Sequence, residues 1–166
     1  YDRNSWTQVG ADINGEAAFD QSGFSVSLSS DGSRVAIGAN RNSENASSAG
    51  HVRIYDYDGS SWIQVGADID GEAKSDQSGY SVSLSSDGSR VAIGAPFNNG
   101  SNGSDAGHVR IYDYDGNSWT QVGAGIDGEA GGDYNGYSVS LSSDGSRVAI
   151  GASGNDGNGF NAGHVR

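Results

Sequence analysis

Apolar and polar residues alternate along this chain in short runs that recur in the same order. Tyr80–Ser85 alternates aromatic or aliphatic residues with serine, so an extended strand there would have one apolar and one hydroxylic face. Arg90–Gly94 is shorter and mostly apolar, which suits a strand covered on both faces. His108–Tyr114 alternates again, and Trp119–Val122 follows it after a glycine-containing turn. Because no stretch has helical periodicity, the pattern predicts an all-β protein with four antiparallel strands in each unit.

This order of runs occurs three times, with a period of about 56 residues. The tryptophans that mark the period are Trp6, Trp62 and Trp119. Four-stranded units of this length favour a β-propeller over a sandwich or a solenoid. The sequence therefore predicts a single β-propeller-type repeat region over residues 1–166. Its units lie at approximately 22–66, 78–123 and 135–166, and residues 1–10 supply the complementary fourth strand.

Three units are too few to close a propeller, which needs four or more blades. Two chains would give a ring of six blades, an open head-to-tail contact would give a filament, and the chain would otherwise be part of a longer array. An unpaired strand edge also offers its N–H and C=O groups to a second chain. We therefore expect a larger or oligomeric ring or array, and an isolated chain that self-associates.

The second unit contains three motifs in a fixed order. They are Ser78-Gly79-Tyr80-Ser81-Val82, Gly94-Ala95-Pro96 and Gly107-His108-Val109-Arg110-Ile111-Tyr112. This order resembles the FG-GAP repeat of integrin α-subunit propellers, and the resemblance extends over all three units. The phenylalanine of the family's first motif is replaced, and its proline is kept once, as Pro96. The resemblance implies a propeller fold and ligand binding on the face that carries the loops between the second and third strands.

The resemblance also implies a calcium loop between the first two strands of a unit, but a short Asp-Gly turn stands there instead. The turns are Asp31-Gly32, Asp87-Gly88 and Asp144-Gly145. Glycine supplies the positive φ that a hairpin turn needs. An arginine follows each turn, as Arg34, Arg90 and Arg147, close to where the last carboxylate of the calcium loop would be expected. The pattern therefore indicates simple hairpins at these positions.

A second set of acidic and amide residues follows the fourth strand of each unit. Its members are Asp12, Asn14, Glu16 and Asp20, then Asp68, Asp70, Glu72 and Asp76, and finally Asp127, Glu129 and Asp133. Oxygen ligands at alternating positions around a glycine turn suit a hard cation, which predicts calcium binding. The alternative is that these carboxylates accept hydrogen bonds from nearby backbone N–H groups. Calcium is the one cofactor that the sequence suggests.

Repetition argues against catalysis. Each unit has its histidine between a glycine and a valine, so a catalytic histidine would require three identical active sites. The tryptophans are expected to fill the space between neighbouring sheets rather than to stack on sugars. The chain is therefore predicted not to be an enzyme. The alternative is a carbohydrate-active or other hydrolytic propeller with an acidic site.

The units differ most in the loop between the second and third strands. These loops cover residues 40–48, 96–104 and 153–160. Variable loops on a rigid scaffold are the usual place for binding, so we expect a protein or glycan ligand on this face. The loops also contain three Asn-x-Ser acceptors, Asn45, Asn99 and Asn102, which predict a glycoprotein.

Charge and composition restrict the partners further. The chain has 21 acidic and 9 basic residues, a net charge of −12, which would repel nucleic acid and anionic membrane surfaces. No apolar run is long enough to insert into a membrane. The absence of cysteine excludes disulfides and thiolate metal sites. The sequence thus predicts a non-enzymatic, extracellular or cell-surface β-propeller repeat protein for adhesion or structural assembly.

Overall fold

The computed structural model describes residues 5–166, and all regular elements in that range are β-strands. In chain order the strands are β1 (Ser25–Leu28), β2 (Arg34–Ala39), β3 (His51–Tyr57), β4 (Trp62–Gln64), β5 (Ile69–Asp70), β6 (Ser81–Leu84), β7 (Arg90–Ala95), β8 (His108–Tyr114), β9 (Trp119–Gln121), β10 (Ile126–Asp127), β11 (Asn135–Leu141), β12 (Val148–Ala152) and β13 (His164–Val165). They form three antiparallel sheets. The prediction of an all-β fold is confirmed.

Each sheet follows the order of its strands along the chain. The first sheet has the order β1-β2-β3-β4, and the second runs β6-β7-β8-β9. In both sheets the fourth position is shared by two short strands, because β5 also pairs with β3 and β10 with β8. The sequence predicted one strand here and missed β5 and β10, which follow a glycine with positive φ, Gly66 or Gly123. The third sheet contains β11, β12 and β13.

The predicted donation of a strand by residues 1–10 lies partly outside the described residues. Residues 5–10 belong to no strand. They lie beside the first sheet, where the indole nitrogen of Trp62 donates a hydrogen bond to Val9 O at 3.2 Å. The donated strand therefore stays a prediction.

The Asp-Gly hairpins have the geometry expected from the sequence. Gly88 has a φ of +70°, in the left-handed region that favours glycine. The Asp87 carboxylate accepts hydrogen bonds from Ser89 N at 3.0 Å and from Ser85 Oγ at 2.7 Å. These bonds lower the pKa of Asp87 to about 2. The turn aspartates are thus engaged in closing their own turns.

Most of the core lies between successive sheets, and a smaller cluster of Val35, Ile37 and Tyr55 lies on the outer face of the first sheet. Between the first and second sheets the buried side chains are Ala36, Val52, Ile54, Ile69, Val82, Leu84, Val91 and Ile93. Between the second and third sheets they are Ala92, Val109 and Ile150, flanked by half-buried apolar residues. Each sheet therefore uses two different faces, because side chains along a strand alternate between them.

The two faces are given fixed names below. The Val-Leu face of a sheet carries the valine and leucine of its first strand, which in the second sheet are Val82 and Leu84. The Ala-Val face carries the alanine of the second strand and the first valine of the third, which in the second sheet are Ala92 and Val109. The Val-Leu face of the second sheet packs on the first sheet, and its Ala-Val face packs on the third.

The first strands of neighbouring sheets approach so closely that they hydrogen-bond to one another. Ser25 Oγ donates to Gly79 O at 2.7 Å, and Ser81 Oγ donates to Gly136 O at 2.8 Å. A Cβ on Gly94, in β7, would lie 2.1 Å from Gly136 O. Glycine at this position is therefore a requirement of the contact between the sheets.

Arginines that follow the hairpin turns connect the sheets at the opposite end of these strands. Arg34 is bonded to Asp56 in its own sheet, with Nη2 2.6 Å from Oδ2, and donates from Nη1 to Gly88 O of the next sheet at 3.0 Å. Arg90 repeats the contact with Gly145 O at 2.8 Å. The arginine that follows each of these two hairpin turns thus joins one unit to the next.

The close approach predicts that Gly94→Ala lowers the stability of the protein. The added methyl group would overlap a backbone carbonyl that cannot move alone, so we expect a loss of about 3 kcal/mol in the free energy of unfolding. Gly100→Ala is the matched control, because the nearest atom to its Cβ is 3.5 Å away. Urea unfolding of both variants measures the difference. Equal stability of the two variants would contradict this account of the sheet contact.

Candidate functional site

The variable loop of each unit lies against the segment that follows a fourth strand. Ser75 N donates to Ser47 O at 2.9 Å, and Ser78 N donates to Ala49 O at 2.8 Å. The loops and these connecting segments therefore share one side of the molecule. We call this side the loop face.

A buried aspartate in each unit fastens a connecting segment to a variable loop. Asp76 is 2% exposed, and its Oδ2 accepts hydrogen bonds from Ala73 N at 3.0 Å and from Asn98 Nδ2 at 2.9 Å. The same pair recurs as Asp20 with Asn42 and as Asp133 with Asn155. Three of the predicted calcium ligands, Asp20, Asp76 and Asp133, thus make the backbone hydrogen bonds that the sequence allowed as the alternative.

The remaining predicted calcium ligands lie in several different environments. Asp12 accepts a hydrogen bond from the Gln8 side chain at 2.8 Å. Glu72 pairs with Arg110 at 2.6 Å, and Glu129 pairs with Arg166 at 3.3 Å. Asn14 and Asp127 contribute backbone oxygens to Arg53 and Arg166, and Asp70 is exposed in β5. The acidic and amide residues that the sequence grouped into one calcium site per unit therefore lie at separate places in the structure.

Within residues 5–166, one group of metal-binding side chains is compact. It consists of Glu16, Glu44, His51 and Asp68, whose ligand atoms all lie within 4.8 Å of one another. Each comes from a different place: the segment before β1, the variable loop, the first residue of β3, and the residue before β5. Glu16 and Asp68 were predicted as ligands of two separate calcium sites. His51 and Glu44 were not predicted, since neither belongs to the acidic sets.

His51 is the centre of this group, which we call the His51 cluster. The residue is 1% exposed, and its Nδ1 has no hydrogen-bond partner among the described residues. Nδ1 lies 3.4 Å from Asp68 Oδ2 and 3.8 Å from Glu16 Oε2. A buried polar atom without a partner is unusual in a folded protein, because its desolvation is not compensated.

Arg53, two residues further along β3, lies at the edge of the cluster. Its side chain is buried, with Nη1 3.3 Å from Glu16 Oε1, and Nη2 donates to Asn14 O at 2.8 Å. The guanidinium fixes the segment that carries Glu16 and balances one of the three carboxylates. The cluster therefore keeps a net negative charge when His51 is neutral.

An open cleft of about 830 Å³ adjoins the cluster on the loop face. Glu16 and Glu44 form part of its wall, together with Phe19 and Arg41. Phe19 is 91% exposed and has a φ of +72°, an uncommon conformation for a residue with a side chain. The cleft gives solutes in the solvent a path to the carboxylates.

The second unit lacks half of the cluster. It keeps counterparts of His51 and Glu16, which are His108 and Glu72. Glycine stands at the positions that correspond to Glu44 and Asp68. Counted from the buried loop asparagine, which is Asn42 in the first unit and Asn98 in the second, Gly100 corresponds to Glu44, and by the repeat period Gly125 corresponds to Asp68. The His51 cluster is therefore a feature of the first unit, although the scaffold beneath it is repeated.

The three predicted glycosylation sites are exposed on the loop face. The side-chain nitrogens of Asn45 and Asn102 donate to Gly71 O and Gly128 O, each at 2.7 Å. Asn99 uses its side-chain oxygen instead, which accepts a bond from a backbone N–H at 2.9 Å. Asn45 and Asn102 thus use the side-chain nitrogen in a hydrogen bond, whereas Asn99 uses its oxygen. Glycosylation of all three residues stays a prediction.

Trp119 has the packing role between sheets that was expected of the tryptophans, whereas Trp62 packs on the outer face of the first sheet. Trp119 Nε1 donates to Val65 O of the preceding unit at 2.9 Å, and its ring packs on the core between the sheets. Trp62 makes the same bond to Val9 O at 3.2 Å. Trp6 is 87% exposed.

Comparison of the sequence with protein-family models and with curated proteins finds no match. The resemblance to FG-GAP repeats, the adhesive role and the extracellular location therefore stay predictions. Within residues 5–166 there is no helix of the length and apolar character that a membrane span requires.

His108 predicts a loss of stability in weak acid. Burial, with a smaller effect of the neighbouring Arg110 charge, lowers its pKa from 6.5 to about 4. The unfolded chain therefore binds a proton between pH 6.5 and 4 that the folded chain does not bind. The free energy of unfolding should fall by roughly 2–3 kcal/mol as the pH falls through this window.

Urea unfolding at several pH values measures this dependence. In His108→Gln the dependence between pH 6.5 and 4 should be largely lost, whatever the absolute stability of the variant. Folding lowers the pKa of the turn aspartates from 3.8 to about 2, so their contribution to stability is lost mainly below pH 4 and overlaps only the acidic end of this window. An unchanged slope in the variant would contradict the assignment to His108.

Proposed function

We propose that this chain is a non-enzymatic repeat module of the β-propeller type that assembles with further copies of itself. Its role would be structural or adhesive, outside the cell or at the cell surface, with the loop face as the surface for a protein or glycan ligand. The observation that carries the proposal is the exposure of two complementary apolar sheet faces.

The first sheet exposes the first-strand part of its Val-Leu face, while Val35 and Ile37 of β2 on the same face are buried against Ile13 and Trp62. Val26 is 63% exposed and Leu28 is 60% exposed. Their counterparts in the second sheet, Val82 and Leu84, are 9% and 7% exposed because the first sheet covers them. The same two residue types at the same strand positions are thus covered in one sheet and open in the other.

The third sheet exposes its Ala-Val face. Val165 is 73% exposed, whereas its counterpart in the second sheet, Val109, is 0% exposed. Ala149 is also exposed, while Ala92 at the same position of the second sheet is fully buried. The two open faces therefore stand at opposite ends of the stack of three sheets.

These open faces are the two halves of the interface that the chain forms twice within itself. A second copy supplies a surface of the required shape, with the same apolar residues, the same serine hydroxyls and the same glycine gaps. Contact between two different faces is heterologous, so it closes into a ring or continues as a filament according to the rotation per unit. Assembly of this kind fits a structural or adhesive role.

The cleft favours a second candidate, a carbohydrate-active hydrolase. Glycoside hydrolysis uses two carboxylates that flank the scissile bond, and Glu16 and Glu44 both border the cleft. Glu44 has no counterpart in the second unit, as expected of a unique active site. Release of reducing sugar from a panel of polysaccharides, lost in Glu44→Gln, would support this candidate over the first.

Assembly through the open faces predicts concentration-dependent association of the wild-type chain in sedimentation velocity. The double variant Val26→Glu/Leu28→Glu should weaken association at least ~100-fold, since burial of these two side chains contributes about 3 kcal/mol or more. The control is Ile63→Glu, because Ile63 is 52% exposed and lies on neither open face. A folded wild-type chain that stays monomeric at all concentrations would overturn the proposal.

A further inference from the structure

We propose that Glu16, Glu44, His51 and Asp68 bind one divalent transition-metal ion, of which Zn²⁺ is the representative. The inference is independent of the assembly proposed above. It also differs from the calcium sites expected from the sequence, because the ligands come from two acidic sets, one variable loop and one strand.

The buried imidazole is the first argument. His51 is 1% exposed, and its Nδ1 lies 3.4 Å from Asp68 Oδ2 and 3.8 Å from Glu16 Oε2 without a hydrogen bond to either. A fully buried nitrogen in that position loses its hydration and gains no partner within the chain. A metal ion bound between Nδ1 and the carboxylates supplies the missing interaction.

The distances suit a small ion. Ligands bonded at about 2.1 Å to a tetrahedral Zn²⁺ stand roughly 3.4 Å from one another. Nδ1 of His51 is already 3.4 Å from Asp68 Oδ2 and 3.8 Å from Glu16 Oε2. All ligand atoms of the set lie within 4.8 Å of one another. Because Glu16 and Glu44 are exposed and have flexible side chains, they can close this gap by rotation.

The donor set selects the class of metal. Calcium and magnesium take oxygen ligands almost exclusively, whereas imidazole nitrogen suits zinc and other first-row transition metals. Three carboxylates beside one imidazole also give a strongly negative site, which a dication neutralises. The buried Arg53 guanidinium, 3.3 Å from Glu16, offsets one of these charges.

The surroundings meet the other requirements of a metal site. The adjoining cleft, about 830 Å³ in volume, offers an entry path from solvent. Two of the ligands are held by secondary structure, since His51 begins β3 and Asp68 immediately precedes β5. A bound ion would therefore connect the segment before β1 and the variable loop to the first sheet.

The second unit shows what the site is without two of its ligands. Gly100 and Gly125 stand in the places of Glu44 and Asp68, and Glu72 is instead engaged by Arg110 at 2.6 Å. The chain should therefore bind one ion, at the first unit. Glu44→Gly and Asp68→Gly are well suited to a test, because each introduces a residue that the repeat already tolerates.

The experiment is isothermal titration of the full chain with ZnCl₂, after removal of metal with a chelator, together with the absorption spectrum of the Co²⁺ complex. We expect one Zn²⁺ per chain and a Co²⁺ d–d band that reports nitrogen and oxygen ligands. Glu44→Gly and Asp68→Gly should each weaken binding at least tenfold, since even changes beyond the direct ligands cost about 10–100-fold. The double variant should not bind.

Glu72→Gln is the matched control, because Glu72 is the counterpart of Glu16 in the second unit. This variant should keep the wild-type affinity for Zn²⁺. Circular dichroism of every variant checks that the fold is retained. Three results would overturn the proposal: no Zn²⁺ binding by the wild-type chain, equal affinity in the folded double variant, or Ca²⁺ binding as tight as Zn²⁺ that His51→Gln leaves unchanged.

Discussion

The structure depends on how closely the first strands of neighbouring sheets approach one another. Serine hydroxyls of one strand donate to carbonyls of the next, and the glycines in β2 and β7 leave no room for a side chain at the contact. Valine and leucine on one sheet are then pressed against alanine and valine on the next, so the apolar core is distributed between sheets and is not enclosed within any of them. Arginines complete the contact at the other end of these strands.

This stacking places side chains of different units next to each other on the loop face. The connecting segment before one sheet crosses the third strand of that sheet, so Glu16 meets His51, and Glu72 meets Arg110 in the same way one unit later. Buried aspartates hold each connecting segment against its variable loop. The loop face is therefore rigid in its framework, and its chemistry changes wherever a loop residue changes. Glu44 and Asp68 make the first unit different from the second at a position where the backbone is the same.

Two functions thus separate onto different parts of the molecule. The repeated residues build the stack and leave complementary apolar faces at its ends, which is the basis of the proposed assembly. The residues that are not repeated collect around His51 beside the cleft, and they are the basis of the proposed metal site. Neither depends on the other, because the open faces lie on β1 and the third sheet, while the cluster lies where β3 meets the loops.

The sequence alone determined the features that short-range physics controls. Alternation with a period of two located the four main strands of the second unit within one or two residues. The Asp-Gly pairs predicted the hairpins at Gly32, Gly88 and Gly145, because glycine readily adopts the positive φ that these turns need. It also anticipated the packing of Trp119 between sheets, but not the position of Trp62 on the outer face of the first sheet. The division of the fourth strand into two parts was not visible in the sequence, since β5 and β10 contain two residues each.

Only the tertiary structure decided which carboxylate lies near which histidine. Glu16 and His51 are far apart in the chain, and their distance is set by the packing of the segment before β1 against β3, which no local pattern records.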